Sequence, residues 1–166
     1  MTGKPQPHDD EIRRRNVNAG EVVVSKAAAD VLTTSAPVGS CVAVCLWDPT
    51  SGVGGLLHFL WPDSKLNPAQ AGSAPACFAD TGVQLLFDQA AAMGAVKGRC
   101  KVRLVGGAEI ADREQADRWA KRNLLAVRSV LWRSGVFLEG EEVGGTKARR
   151  ATLTVSNGEL LVGLHE

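Results

Sequence analysis

The chain has 166 residues and a mass of 17.5 kDa, with 45% hydrophobic and 22% charged residues, which is typical of one globular domain. Nineteen lysines and arginines balance eighteen aspartates and glutamates, and the pI of 7.7 argues against a domain that binds nucleic acid through its overall charge. The longest uncharged stretch, 31–47, is interrupted by Pro37 and Gly39, so we expect no membrane-spanning helix.

The N-terminal segment differs in composition from the rest of the chain. Residues 1–18 combine prolines with an acidic and then a basic run, and this pattern predicts a disordered N-terminal arm. We expect residues 19–166 to form the single folded domain. The arm lacks the apolar core of a secretory signal, so we expect a cytoplasmic protein with reduced thiols. The four cysteines form no CxxC pair, and only His58 among the three histidines lies in an apolar segment, so we expect no metal site.

The pattern of apolar residues predicts strands and helices in chain order. Seven β-branched or alternating segments predict strands, namely Glu21–Ser25, 40–47, 54–60, 100–105, 136–138, 150–155 and Leu160–Leu164. Helical spacing predicts one helix with Asp80 as its N-cap and Gly94 just past its end, and a second helix over 112–133. Helices that are outnumbered and not regularly interleaved with strands favour an α+β sandwich over a doubly wound fold.

The connections carry their own signals. The segment Asp48-Pro49-Thr50-Ser51-Gly52 predicts the turn of a β-hairpin that joins strands 40–47 and 54–60. Asn157-Gly158 predicts a two-residue type I′ turn between the last two strands. Residues 62–75 are rich in Pro, Gly and Ser and predict a long loop, a kind of segment that is often functional.

A cysteine and a histidine lie on the two arms of the first predicted hairpin. If Pro49-Thr50 form a two-residue loop, Cys41 lies directly opposite His58, and their Cβ atoms are about 4.5–5.5 Å apart. A loop longer by one residue would put the two side chains on opposite faces unless one of the glycines at 52, 54 and 55 supplied a bulge.

Such a pair permits nucleophilic catalysis, because an imidazole can take the thiol proton and later protonate a leaving amine. Several nearby groups are candidates to orient the imidazole or to bind an oxyanion, namely the hydroxyls of Thr33, Thr34, Ser35 and Ser40 and the backbone N–H groups around Gly39 and Ser40. The alternative interpretation is that both residues belong to the core, since free cysteines are commonly buried and Cys45 shares the strand.

Short sequence blocks give a second line of inference, because their order resembles that of the CheD family of chemoreceptor glutamine deamidases over about residues 18–164. The blocks are Gly39-Ser40-Cys41-Val42-Ala43-Val44-Cys45-Leu46-Trp47-Asp48, Gly54-Gly55, Leu57-His58, Leu60 with Pro62, Phe78-Ala79-Asp80-Thr81, Gly106-Gly107-Ala108, Arg122-Asn123 and Val143-Gly144-Gly145 followed by Arg149 and Gly158.

The resemblance implies a fold and an activity. The implied fold is α+β, a three-layer α-β-β sandwich related to deamidating bacterial toxins. The implied activity is deamidation of specific glutamines on methyl-accepting chemotaxis receptors, and some family members also hydrolyse receptor methyl esters. The family's nucleophile falls on Cys41 and its histidine on His58, while Ser35 stands where the family has a catalytic threonine. Many members bind the phosphatase CheC, and no cofactor is implied.

Two other functions stay open at the level of the sequence. The first is a non-catalytic regulatory module that binds receptors or CheC through the same groove. The second is a transglutaminase, which shares the acyl-enzyme but uses an amine in place of water.

Overall fold

The computed structural model of the chain describes residues 12–110 and 114–165, and for 114–117 the backbone alone. Nine strands lie in these residues: β1 (Arg13–Val17), β2 (Glu21–Ser25), β3 (Asp30–Thr34), β4 (Val42–Asp48), β5 (Val53–Phe59), β6 (Lys101–Gly106), β7 (Leu138–Val143), β8 (Arg149–Thr154) and β9 (Leu160–Leu164). The α-helices are α1 (Pro68–Ser73), α2 (Ala79–Ala92) and α3 (Glu114–Arg133). None of the helices in the described part of the chain is long and apolar enough to span a membrane.

The strands form two sheets with two separate cores. The order is β2-β5-β4-β6-β7 in the larger sheet and β1-β3-β8-β9 in the smaller one. One core joins the larger sheet to α2 and α3 and includes Phe59, Leu86 and Leu131. The other core includes Leu56 of the larger sheet and Leu153 of the smaller one. The predicted α+β class is therefore confirmed.

The central hairpin β4–β5 is buried on both faces. Val42 and Val44 belong to the core that contains the helices, whereas Ala43 and Cys45 belong to the core between the sheets. Alternate residues of a strand point to opposite faces, so a strand that is covered on both sides has an almost continuous apolar sequence. This explains why 40–47 is apolar at every position after Ser40.

Part of the predicted N-terminal arm is a strand. Residues Arg13–Val17 form β1, which pairs in parallel with β3, so the prediction of a disordered arm is wrong for these residues. The basic run is not a solvated tail, because Arg13 and Arg15 form ion pairs with the buried carboxylate of Asp30. The first eleven residues of the predicted arm lie outside the described residues.

Several other predictions are corrected by the structure. The predicted loop 62–75 contains a 3-10 turn, Ser64–Leu66, and the helix α1, which are capped by Asp63 and Asn67 respectively. Asp80 is not the N-cap of α2; it lies in the first turn and accepts hydrogen bonds from Ser64. The strand predicted at 136–138 is misplaced: β7 begins at Leu138 and runs to Val143, and its three glutamates are exposed.

Both hairpin turns are longer than the two residues predicted. In the first, the N–H of Gly52 donates to the carbonyl of Asp48 at 2.9 Å, and in the second that of Gly158 donates to Thr154 at 2.8 Å. Each turn therefore has four residues, and its last residue is a glycine with a positive φ, 75° for Gly52 and 72° for Gly158. The side chain of Asp48 also accepts from the N–H of Thr50, which stabilises the longer turn.

Candidate active site

The candidate site lies at the common end of the two sheets. Strands β1 and β3 of the smaller sheet end there, and so do β5 and β6 of the larger sheet, while β4 and β2 begin there. Cys41 immediately precedes β4 and is half-buried, whereas His58 is the second-last residue of β5 and is only 1% exposed. The fold thus brings the two predicted residues to one place.

The register of the hairpin differs from the predicted one. Ala43 pairs with His58, and Val42 pairs with Phe59, so Cys41 is displaced by two residues from the position opposite His58. The prediction that they lie directly opposite is wrong, because the turn has four residues instead of two. An even displacement keeps both side chains on the same face. Such diagonal neighbours have a typical separation of about 7–8 Å, which an imidazole can span.

Burial determines the charge state of both groups. It lowers the pKa of His58 to about 4, so the imidazole is neutral at neutral pH. It raises the pKa of the Cys41 thiol, and that of Cys45, which is fully buried, to about 12. Neither imidazole nitrogen of His58 has a hydrogen-bond partner among the described residues. The arrangement therefore offers a neutral base beside a protonated thiol.

The Gly-Gly-Ala block at the end of β6 binds the segment that carries Cys41. The N–H of Gly107 donates to the Cys41 carbonyl, and the N–H of Ala108 donates to the carbonyl of Gly39, both at 2.8 Å. Gly106 and Gly107 have positive φ angles of 112° and 61°, and a Cβ atom on Gly106 would lie 2.5 Å from the Cys41 oxygen. The Gly-Gly-Ala block thus lets β6 end against the segment that carries the thiol.

Asn123 of α3 joins the two arms of the site. Its Nδ2 atom donates to the carbonyls of Ser40 and Leu60, each at 3.0 Å, and the residue is fully buried. These carbonyls belong to the residue before Cys41 and to the residue that follows β5. In the sequence, Asn123 stands out only as part of the family resemblance. An asparagine on the buried stripe of an amphipathic helix was the signal that could have identified this role.

Ser35 does not contact His58 directly. Its hydroxyl donates to Oδ1 of Asn18, and Asn18 in turn donates through its backbone N–H and its Nδ2 to the carboxylate of Glu21 at 3.1 Å. Glu21 is the residue of β2 that pairs with His58. Ser35 is therefore linked to the His58 strand through Asn18 and Glu21, neither of which the sequence reasoning had identified.

The hydroxyl of Ser40 lies at the Cys41 thiol, where its hydrogen bond partly offsets the rise in pKa that burial causes. Two other candidate hydroxyls are engaged elsewhere. Thr33 forms a hydrogen bond with Thr152 at 3.0 Å, and Thr34 accepts from the N–H of Ala151 at 3.1 Å. Both bonds join β3 to β8 within the smaller sheet. In the described residues, no group of three or more His, Cys, Asp or Glu side chains is arranged to hold a metal ion.

Comparison with known proteins gives consistent matches. A model of the CheD family, described as CheD chemotactic sensory transduction, matches residues 60–163. The probable chemoreceptor glutamine deamidase CheD of Solibacter usitatus is 39% identical over 144 residues, which cover 87% of this chain and 85% of that protein. The probable chemoreceptor glutamine deamidase CheD 1 of Syntrophus aciditrophicus is 38% identical, with coverages of 88% and 91%. The chemoreceptor glutamine deamidase CheD of Thermotoga maritima is 34% identical, with coverages of 90% and 90%.

Proposed function

The chain belongs to the CheD family, and from this premise we propose that it deamidates glutamine side chains of chemotaxis receptors to glutamate, with Cys41 as the nucleophile. The observation that carries the proposal is that a half-buried thiol and a neutral, buried imidazole are diagonal neighbours on one face of the hairpin. A neutral imidazole is the form that can accept a proton from a thiol.

The proposed reaction has two halves. The Cys41 sulfur attacks the amide carbon of the glutamine while His58 takes the thiol proton. The carbon–nitrogen bond then breaks, His58 transfers the proton to the departing nitrogen, and ammonia leaves a thioester. A water molecule attacks the thioester carbon and gives a proton to His58. The carbon–sulfur bond breaks, His58 returns this proton to the sulfur, and the carboxylic acid that is released ionises to glutamate.

The raised pKa of Cys41 has a consequence for this scheme. The thiol of the resting protein is protonated at neutral pH, so the nucleophile has to be generated by His58 as the reaction begins. The two side chains are diagonal neighbours, so the proposed proton transfer requires a side-chain rotation that closes the gap between the sulfur and the imidazole.

Ser35 is proposed as a positioning residue that acts through Asn18 and Glu21. The hydrogen-bonded series from Ser35 to Glu21 ends on the residue that pairs with His58. Ser35→Ala is expected to lower turnover by less than Cys41→Ala does, Asn18→Ala is expected to have the same effect as Ser35→Ala, and Ser35→Thr is expected to be tolerated. Full activity in Ser35→Ala would remove Ser35 from the proposal.

The proposal also carries over four expectations of the sequence analysis: a cytoplasmic location, CheC as a second partner, methylesterase activity on receptor glutamyl esters, and kinship of the fold with the three-layer α-β-β sandwich of deamidating toxins. The location of the helices on one face of the larger sheet and of the smaller sheet on the other supports the last of these.

The experiment that tests the proposal is co-expression with a chemoreceptor. Deamidation raises the mass of each modified glutamine by about 1 Da, as expected when water replaces the amide nitrogen in an acyl transfer. The shift should vanish with Cys41→Ala and persist with Cys100→Ala, a matched control at a half-buried cysteine outside the site. Incorporation of an added amine in place of that shift would instead indicate a transglutaminase, and receptor binding without either change would indicate a regulatory module.

A further inference from the structure

Helix α3 has an exposed stripe opposite the stripe that it buries. Four residues of this stripe follow one another at intervals of three, four and three residues, which places them on one side of the helix. They are Arg122, Leu125, Ser129 and Trp132, and all four are exposed. Leu125 and Trp132 are each 72% exposed, although both are large apolar side chains. We refer to these four residues as the α3 face.

An aromatic pair extends the α3 face at its C-terminal end. Trp132 packs edge-on against Phe137, with ring centroids 6.0 Å apart and an interplanar angle of 88°. Phe137 is itself 76% exposed. Adjacent exposed aromatic rings with a neighbouring arginine are characteristic of the central residues of protein interfaces.

A groove runs beside the α3 face. It has a volume of 590 Å³ and lies between α3 and the segment that follows β5. Its lining is mixed: apolar side chains (Pro62, Leu125, Ala126, Val130) alternate with basic ones (Lys65, Arg122, Arg133) and two carboxylates (Asp63, Asp80). A groove that offers apolar side chains next to a helix can accept the side chains of a second helix.

The charge of α3 specifies what fits this surface. Residues 118–133 include five lysines and arginines and no aspartate or glutamate. Lys121 and Arg128 form ion pairs with acidic residues of other segments. The carboxylates of Asp63 and Asp80 also line the groove, but both already accept hydrogen bonds from residues 64–65. The α3 charges left to meet a partner there are those of Arg122 and Arg133. A partner with complementary charge is therefore acidic. A partner whose side chains match the three- and four-residue spacing of the α3 face is helical.

We propose that the α3 face and its groove dock an acidic amphipathic helix of the protein that the enzyme deamidates. Asn123 follows Arg122 and binds the carbonyl of Ser40, so the N-terminal end of the face is one residue from the support of the nucleophile. α3 leads back to β7, which begins beside the start of β6, so the N-terminal end of α3 lies at the end of the sheet that carries Cys41. A helix docked along the face can continue past that end to the thiol, and docking raises the local concentration of its glutamines there. The identity of the partner as the substrate rests on the proposed function.

The test compares Leu125→Glu/Trp132→Glu with Leu161→Glu, a matched control at an apolar residue of β9 that is 59% exposed. The probes are a purified cytoplasmic fragment of a chemoreceptor and a short glutamine-containing peptide too small to span the groove. The double variant should raise the Kd for the receptor fragment and lower kcat/KM for its deamidation by at least about tenfold, since like charges repel at an interface. Turnover of the short peptide and alkylation of Cys41 should stay within about twofold.

Three results would overturn the inference. The first is wild-type affinity of the double variant for the receptor fragment. The second is an equal loss in Leu161→Glu, and the third is an equal loss of short-peptide turnover in the double variant. A wild-type protein that binds the fragment through the face without deamidating it would contradict the proposed function and leave the docking surface standing. Sedimentation of the free protein adds one more decisive outcome, because dimerisation lost in the double variant would assign the face to a second copy of the chain.

Discussion

Replacing Gly106 with alanine should impair the reactivity of Cys41, although Gly106 lies in the neighbouring strand β6. The added Cβ atom would lie 2.5 Å from the Cys41 carbonyl oxygen and 2.5 Å from a methyl group of Val38, whereas real Cβ contacts stay above 3.0 Å. The backbone that carries the thiol therefore has to move by about 0.5 Å or more, and a misplacement of about 1 Å at an active site can lower the rate about a hundredfold. We expect turnover to fall by about tenfold to a hundredfold.

The same substitution also lowers stability. The φ of 112° at Gly106 is strained for alanine by about 1–3 kcal/mol, and the overpacking adds about 1–3 kcal/mol. Gly52→Ala is the matched control, because its φ is also positive, at 75°, but a Cβ atom there meets nothing within 4 Å. Urea unfolding, Cys41 alkylation and turnover would be measured for both variants. Gly52→Ala should lose about 1–2 kcal/mol of stability from strain alone and keep both activities. If Gly106→Ala matched Gly52→Ala in all three measurements, the Gly-Gly-Ala block would not support the nucleophile.

Three further perturbations test other parts of the structure. Asn123→Leu leaves two backbone carbonyls unpaired, so the free energy of unfolding should fall by about 2–4 kcal/mol. Alkylation of Cys41 should be slower in this variant than in Val127→Ala, a core variant of similar stability. Equal alkylation rates in the two variants would make Asn123 purely structural. The pKa of His58 is about 4 in the folded protein and 6.5 in the unfolded one, so between these values the unfolded state binds more protons. The free energy of unfolding should therefore fall by about 3 kcal/mol as the pH drops from 6.5 to 4. The same dependence of stability on pH in His58→Gln would refute this. Burial raises the pKa of Asp48, but the hydrogen bonds from Arg99 and the Val96 N–H outweigh it and lower the pKa, so the contribution of Asp48 to stability is lost only below about pH 4. In urea unfolding at about pH 7, Asp48→Asn should be about 1.5–3 kcal/mol less stable than the wild-type protein. An unchanged urea midpoint would contradict this.

The hairpin shows what the sequence can and cannot determine. The pattern of apolar residues located β4 and β5, and the segment from Asp48 to Gly52 located the turn. The length of the turn depends on how Asp48 and Gly52 bond within it, and the composition did not reveal this. The predicted face of Cys41 and His58 is nevertheless the observed one, because the register moved by two residues.

The missed strands have a common cause. β1 and β3 are held together by the pairing of Arg13 with Asp30 across 17 residues of sequence, and a local pattern cannot show such a contact. β7 is an exposed strand at the edge of the larger sheet, so it lacks the apolar alternation on which strand prediction depends. Only interactions distant in sequence make these segments strands.

The candidate site likewise has residues that the sequence predicts and contacts that it does not. Cys41 and His58 could be proposed from the hairpin pattern and the family resemblance. The link from Asn123 to Ser40 and Leu60, and the link from Ser35 through Asn18 to Glu21, depend on how α3 and the β1–β2 connection pack on the sheet end. No spacing within the sequence encodes these contacts.

The most direct test of the central proposal is the detection of the thioester on Cys41. The wild-type protein would be mixed with a receptor fragment, quenched in acid within one turnover, digested and analysed by mass spectrometry, since a covalent intermediate accumulates when its hydrolysis is slower than its formation. We predict an acyl adduct on the peptide that contains Cys41, absent from the peptide that contains Cys100 and sensitive to hydroxylamine. Deamidation by Cys41→Ala at the wild-type rate, with no adduct on any cysteine of the wild-type protein, would contradict the account.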